Sequence, residues 1–223
     1  MELKRLKTQG WHICDTIYRE GINTKPSDPF ILLLHGFNER AQRIFRKTLE
    51  AIPENLTLVV PNAPFPMPRR VHDQAGDYYK IGYAWYFYDD LKDEFLIDYS
   101  YPSAWLNSLI KTMGLDQRPM IIIGYSQGGY LAPFVGEACS NTKKVIGINC
   151  RFRDDMLSSN PPSYPLFALH GDNDDKVCPV RAQASFEKLK AQGYQGDFKL
   201  MAGKGHELDQ DVCEELKQLI LSK

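Results

Sequence analysis

The chain has 223 residues, of which 43% are hydrophobic and 25% charged, and its formal net charge is −1. This size and composition allow a buried core without stabilising metals or disulfides, and the length suits one domain or at most two. The near-neutral charge gives no electrostatic footprint for nucleic acid, so no nucleic-acid partner is expected. Because no apolar run is long enough to cross a bilayer and no secretory signal is visible, no stable membrane insertion is expected.

The first half of the chain begins with alternating strands and helices and then becomes irregular. The pattern predicts strands over residues 11–18, 30–34 and 56–60, a helix over residues 41–51, a long irregular segment over residues 61–83 and a short extended piece over residues 85–87. An irregular segment of this length is usually functional or disordered. Its proline and tyrosine content, with aromatic residues up to position 88, argues against disorder.

The second half keeps a regular strand and helix alternation. It predicts a helix around residues 105–113, a buried strand over 120–123, a helix after it, strands over 145–148, 166–169 and 198–201, and helices over 180–191 and 209–221. Strands that alternate with helices indicate an α/β fold with a mostly parallel central sheet and helices on both faces. Neither a repeat nor a linker is visible, so residues 1–223 are predicted to form a single domain without a large cap.

A serine with a glycine two residues before it and another two residues after it follows the buried strand over residues 120–123. Residues 124–128 read Gly-Tyr-Ser-Gln-Gly, and the apolar positions after them have helical spacing. In the pattern G-x-S-x-G the serine is a nucleophile in a strained strand-to-helix turn, where a Cβ on the neighbouring residues would clash. The alternative is a glycine-rich turn that only packs tightly. The sequence therefore predicts Ser126 as a candidate nucleophile, with the amide of Gln127 as an oxyanion donor.

A serine hydroxyl needs a base, and the base needs an orienting carboxylate. In α/β-hydrolases these follow the nucleophile in the order acid, then histidine. The loop over residues 169–180 offers Asp172, Asp174 and Asp175, and His206 is the only histidine after His170. The order serine, acid, histidine is therefore available, with three candidates for the acid.

The chain resembles the α/β-hydrolase serine esterases of the phospholipase/carboxylesterase group, which includes the acyl-protein thioesterases. The resemblance rests on LLLHGFNE, VVPNAPFP, GYAWYF, GYSQGG, LHGDNDDKVCP and GKGH, which occur in the family's order between residues 32 and 206. It implies an α/β-hydrolase fold, Ser126 as nucleophile, His206 as base and Asp174 as acid, three positions after the glycine of the H-G pair. Two residues depart from the family pattern: Asn38 stands where glycine is common, and Cys178 is inserted before a proline. These departures leave the chemistry intact and concern the identity of the substrate.

The resemblance also implies a second oxyanion donor and a substrate-binding wall. The donor is the amide of Phe37, and the wall is the aromatic loop, in which Trp85 is the predicted substrate-binding residue. An aromatic wall predicts a preference for short-to-medium apolar or aromatic acyl groups over charged ones. The alternatives are that the loop only caps the sheet edge and that Trp85 is a core residue.

The remaining histidines and the cysteines predict no metal and no cofactor. His35 is expected to be a buried structural residue, and the five scattered histidines form no metal-binding motif. The five cysteines, an odd number without C-x-x-C spacing, indicate reduced thiols and a cytoplasmic location.

The sequence thus predicts a serine hydrolase that cleaves a small-molecule ester or thioester through an acyl-enzyme on Ser126. One alternative is a peptidase or a lactone hydrolase on the same scaffold, although no cap is visible that could gate peptides. A different class is a non-catalytic ligand-binding homologue, but such a protein would typically lack one of the three candidate residues. A homodimer is compatible with this reading.

Overall fold

The structure, a computed structural model, describes residues 14–74, 76–89, 91–92 and 94–222. Its elements in chain order are β1 (Thr16–Arg19), β2 (Phe30–Leu34), α1 (Ala41–Thr48), β3 (Thr57–Pro61), β4 (Phe65–Asp73), β5 (Gly76–Ala84), β6 (Phe87–Asp89), β7 (Glu94–Leu96), α2 (Ser100–Thr112), β8 (Met120–Tyr125), α3 (Gln127–Ala138), β9 (Thr142–Ile148), β10 (Leu166–Gly171), α4 (Pro179–Ala191), β11 (Gly196–Met201) and α5 (Gln210–Leu221).

A seven-stranded sheet organises the molecule, in the order β1-β3-β2-β8-β9-β10-β11. The strands are parallel except β1, which pairs antiparallel with β3 at the edge. The central strands β2 and β8 are buried along their whole length, which explains their continuous apolar sequences. The predicted mostly parallel α/β sheet is confirmed.

Both faces of the sheet are covered by helices. Along β2, Leu32 belongs to the cluster that packs with α2 and α3, whereas Ile31 belongs to the cluster that packs with α1 and α5. Successive side chains of a strand point to opposite faces, so one apolar strand serves both clusters. Because β2, β8, β9, β10 and β11 are parallel, their carboxyl ends lie along one edge of the sheet.

Residues 61–83, predicted to be irregular, contain an antiparallel hairpin of the nine-residue strands β4 and β5. The prediction of an irregular segment was wrong because the two prolines and two arginines of β4 outweighed the alternation of Phe65, Met67 and Val71. The hairpin is mostly exposed and is joined to the rest of the chain at its base, where the Tyr83 amide donates to the Glu39 carbonyl at 2.8 Å. The small β6–β7 hairpin that follows was only partly predicted.

The N-terminal strand is described from residue 16 onward, and residues 11–13 of its predicted range lie outside the described residues. Within the part of the chain that the structure describes, no helix combines the length and apolarity needed to cross a bilayer. The thiols of the five cysteines are all free.

Candidate active site

Ser126 lies in a sharp turn between β8 and α3. Its backbone has φ 51° and ψ −117°, a conformation that costs free energy for a residue with a side chain. A Cβ at Gly124 would lie 2.2 Å from the Gly128 carbonyl oxygen, and a Cβ at Gly128 would lie 2.5 Å from the Leu34 carbonyl oxygen. The two glycines are therefore required by close backbone contacts, as the motif predicts.

Three of the predicted residues form a continuous hydrogen-bonded chain. The Ser126 Oγ and His206 Nε2 atoms are 2.9 Å apart, and His206 Nδ1 is 2.7 Å from Asp174 Oδ2. An ionised carboxylate only accepts hydrogen bonds, so the ring proton lies on Nδ1 and leaves Nε2 free to accept from the serine hydroxyl. This is the arrangement in which an imidazole can remove the proton of the serine.

The structure separates the three aspartates that the sequence leaves open. Asp172 Oδ1 accepts from the Gly203 amide at 2.7 Å, and the exposed Asp175 pairs with Lys176 at 3.0 Å. Only Asp174, which is 7% exposed, is hydrogen bonded to His206 among these three.

The Asp174 carboxylate is held on both of its oxygens. Oδ1 accepts from the amides of Lys176 at 2.8 Å and Val177 at 2.9 Å. The other oxygen, Oδ2, also lies 3.3 Å from Nε2 of His170, whose ring contacts the Val177 carbonyl at 2.9 Å. These contacts fix the orientation in which Asp174 meets His206.

Two residues that sequence reasoning missed fasten the loop that carries His206. The Asn149 side-chain amide donates to the carbonyls of Gly205 and Glu207, both at 3.2 Å, and the Tyr125 hydroxyl donates to the His206 carbonyl at 2.7 Å. Three consecutive carbonyls are thereby fixed. No motif marks Asn149, although its position just after a buried strand and its φ of 48° suit an asparagine.

A cleft of about 870 Å³ contains Ser126 and His206. The residues expected to supply oxyanion donors, Phe37 and Gln127, both line it. As the first residue of α3, Gln127 has no partner for its amide within the helix, so that amide can bind negative charge beside the serine.

The cleft wall combines aromatic and charged side chains. Tyr86, Phe95 and Ile97 line it together with Phe37, and the rings of Phe37 and Phe95 meet edge to face at 5.0 Å. The remaining wall includes Arg43, Arg151, Arg153 and Lys176. The structure thus adds cationic side chains to the aromatic wall that was expected from the sequence.

Trp85 is a correction to the sequence-based prediction. It is 0% exposed and does not line the cleft. Its indole Nε1 donates to the His35 carbonyl at 2.8 Å, and its amide donates to Gln127 Oε1 at 2.9 Å. Its neighbour Tyr86 takes the wall position. Trp85 is thus a core residue. Its hydrogen bonds connect the segment before Phe37 to Gln127, and these two residues are the predicted oxyanion donors.

His35 is buried and structural, as predicted. Its Nε2 accepts from the Ala63 amide at 3.0 Å, so the ring proton lies on Nδ1, which donates to the Gly36 carbonyl at 2.7 Å. Burial lowers the pKa of His35 to about 4. The turn after it places Asn38 at φ 54°, a conformation that explains why glycine is common at this position.

No cluster of three or more histidine, cysteine or acidic side chains with metal-binding geometry occurs among the described residues. Cys178, the residue inserted before Pro179, is exposed and lies immediately before α4.

Comparison with known proteins identifies the family and the fold of the chain. The family model described as phospholipase/carboxylesterase matches residues 22–222. A Dictyostelium discoideum protein, acyl-protein thioesterase 1 homolog 1, is 28% identical over 109 residues, which are 45% of this chain and 47% of that protein. The matched stretch thus spans about half the length of that relative.

Solved structures show the same fold. The crystal structure of esterase PE8 matches with a TM-score of 0.71 at 21% identity, covering 93% of this chain and 97% of that one. The crystal structure of Zea mays acyl-protein thioesterase 2 matches with a TM-score of 0.69 at 20% identity, covering 94% of this chain and 98% of that one.

Proposed function

The chain belongs to the phospholipase/carboxylesterase family, and we propose that it is a serine hydrolase that cleaves a carboxylic ester or thioester through an acyl-enzyme on Ser126. The observation that carries the proposal is the chain of hydrogen bonds from Ser126 through His206 to Asp174, with separations of 2.9 and 2.7 Å.

Acylation begins when the Ser126 oxygen attacks the carbonyl carbon of the substrate. His206 Nε2 takes the hydroxyl proton as the new bond forms, and the resulting imidazolium is stabilised by Asp174. The same proton then passes from His206 to the departing alkoxide or thiolate. The acyl group remains on Ser126 as an ester.

The oxyanion of the tetrahedral intermediate is bound by the amides of Phe37 and Gln127. Both are main-chain donors, and the Gln127 amide lies at the positive end of α3. Deacylation repeats the sequence with water: His206 removes a proton from water, the hydroxide attacks the acyl carbon, and Ser126 leaves with the returned proton. This chemistry needs no cofactor.

We further propose that the chain works as one domain without a large cap. In support, Ser126, Asp174 and His206 come from loops at one edge of a single sheet in one chain, so the chemistry requires no second copy. A cytoplasmic location is supported by the five free thiols, because reducing compartments keep cysteines in this form.

Fluorophosphonate labelling followed by mass spectrometry tests the proposal. The reagent should modify Ser126 stoichiometrically and abolish hydrolysis of p-nitrophenyl esters. The Ser126→Ala protein should take up no label, whereas Ser108→Ala, a control at an exposed helix position, should label like the unmodified protein. A folded protein that takes no label and hydrolyses no ester would indicate a ligand-binding homologue instead.

A further inference from the structure

Positive charge is concentrated along one part of the cleft wall. Of its four cationic residues, two are neutralised within the protein. Arg43 pairs with Glu39 at 3.1 Å, and Arg153 forms a two-pronged pair with Asp155 at 2.7 and 2.6 Å. Lys176 has only an exposed partner, Asp175 at 3.0 Å, and Arg151 forms no ion pair within the described residues, so these two charges are more accessible to a substrate than those of Arg43 and Arg153.

A smaller cavity of about 330 Å³ adjoins the cleft and adds a third cation. It is lined by Tyr130, Arg151, Lys176, Val177, Cys178 and Arg181, a set without any carboxylate. Arg151 and Arg181 form no ion pair within the described residues. Arg151 makes only a minor contribution to lowering the pKa of Asp155, after the hydrogen bonds from Arg153. Lys176 pairs with Asp175, and both side chains of that pair are exposed.

This cationic cavity is fixed relative to the reacting atoms. It shares four wall residues with the cleft that contains Ser126. Tyr130 lies one helical turn after Ser126, with its amide 3.1 Å from the Ser126 carbonyl. On the other side, the amides of Lys176 and Val177 bind the carboxylate of Asp174.

We propose that the substrate carries an anionic group, a carboxylate or a phosphate, that binds Arg151, Lys176 and Arg181 while its ester carbonyl lies at Ser126. The inference rests on the proposed hydrolase function and names the substrate class of that site. Guanidinium groups match the oxygens of carboxylate and phosphate in a two-pronged geometry, and such charge-assisted hydrogen bonds are the strong ones. The aromatic wall then receives the apolar part of the same substrate.

Two pairs of esters distinguish an anionic group on the acyl side of the substrate from one on the alcohol side. Mono-p-nitrophenyl adipate, compared with p-nitrophenyl hexanoate, places a carboxylate on the acyl side. Butyrylglycerol phosphate, compared with butyrylglycerol, places a phosphate on the alcohol side. At least one anionic member should exceed its neutral partner in kcat/KM by roughly tenfold or more, as a charge-assisted hydrogen bond provides. Spontaneous hydrolysis is subtracted with Ser126→Ala.

Substitutions then assign the preference to the named side chains. In the double variant Arg151→Gln/Arg181→Gln the ratio of anionic to neutral kcat/KM should fall toward one, mainly through KM. Arg151→Lys should retain part of the ratio, because it keeps the charge and loses the two-pronged geometry. Arg46→Gln, an exposed cation on α1 that does not line the cleft, is the matched control and should keep the full ratio.

The outcomes separate this inference from the function on which it rests. If all esters are hydrolysed and neither anionic member is preferred, the anionic subsite is wrong and the hydrolase remains. A preference that survives in the folded double variant also overturns it. Loss of the preference at high ionic strength would support it, since salt screens exposed charges. If no ester of either pair is hydrolysed, the hydrolase function itself fails.

Discussion

The floor and the rim of the cleft are built on different principles. The floor is the layer beneath the cleft that includes His35, Trp85, Gln127 and Asp174; these residues are buried, and each makes hydrogen bonds within the protein. The rim, formed by Phe37, Phe95, Arg151, Lys176 and Arg181, is carried by loops, by the β6–β7 hairpin and by the start of α4. The floor therefore holds the reacting groups in one geometry, whereas the side chains of the rim line the cleft that a substrate enters and the cavity that adjoins it.

The largest expected effect comes from the nucleophile that the floor supports. Ser126→Ala should lower kcat by roughly 10³-fold or more, because the remaining groups can bind and polarise the ester but form no acyl-enzyme. Steady-state hydrolysis of p-nitrophenyl butyrate and circular dichroism measure activity and folding together. Near-normal hydrolysis by the folded variant would remove Ser126 from the mechanism.

The next effect distinguishes Asp174 from its exposed neighbours. Asp174→Asn should lower kcat by roughly 10²-fold or more, because an amide can hold His206 in the wrong tautomer. Asp175→Asn and Asp172→Asn are matched controls in the same loop and should have much smaller effects, since neither side chain contacts His206. Kinetics of the three variants at one pH make the comparison. The assignment of the acid would be wrong if Asp175→Asn were the most damaging.

The stability of the floor should depend on pH through His35. Its pKa is about 4 in the folded protein, well below the ordinary value of 6.5, so the unfolded chain binds the proton first as pH falls. The stabilising contribution of the neutral ring is thus present above pH 6.5 and is lost as pH falls toward 4. Between pH 7 and 4.5 the loss should be about 2 kcal/mol.

Urea unfolding at several pH values measures this slope. His35→Gln, whose amide oxygen can still accept from Ala63, should be less stable at pH 7 but should show a flatter slope over the same range. An equal slope in both proteins would mean that other groups control the acid sensitivity.

The smallest expected effect contrasts neighbouring aromatic residues of floor and rim. Trp85→Phe removes the hydrogen bond to the His35 carbonyl and should lower Tm, while it depresses hydrolysis of all acyl chain lengths by a similar factor. Phe95→Ala removes part of the cleft wall and should reduce kcat/KM a few-fold more for long chains than for short ones. A profile altered in shape by Trp85→Phe and unaltered by Phe95→Ala would reverse the two roles.

The sequence predicts the floor better than the rim because the floor follows from local rules. The strand over residues 30–34 is predicted with its observed bounds. A short, continuous run of apolar residues is typical of a parallel strand that is buried on both faces. Ser126 was identified because glycines at 124 and 128 mark close backbone contacts. By contrast, β4 carries two prolines, which argue against a strand, so the exposed β4–β5 hairpin was not predicted.

Other errors come from contacts between distant parts of the chain. Trp85 and Tyr86 are adjacent aromatic residues, and only the tertiary structure decides which of them is buried and which lines the cleft. Asn149 lies more than 50 residues before His206 and reaches its loop because β9, β10 and β11 are consecutive strands of the sheet. The cations of the cleft wall likewise come from α1 and from two separate loops, so their convergence is a property of the fold.

The exposed thiol of Cys178 offers a built-in attachment point for an optical reporter. Burial raises the pKa values of Cys14, Cys139, Cys150 and Cys213, which slows their reaction with thiol reagents, whereas Cys178 is exposed on the wall of the cationic cavity. A maleimide dye should therefore attach there first, without any engineered cysteine. Its emission would follow the filling and emptying of the cavity during turnover, in real time and with the natural sequence.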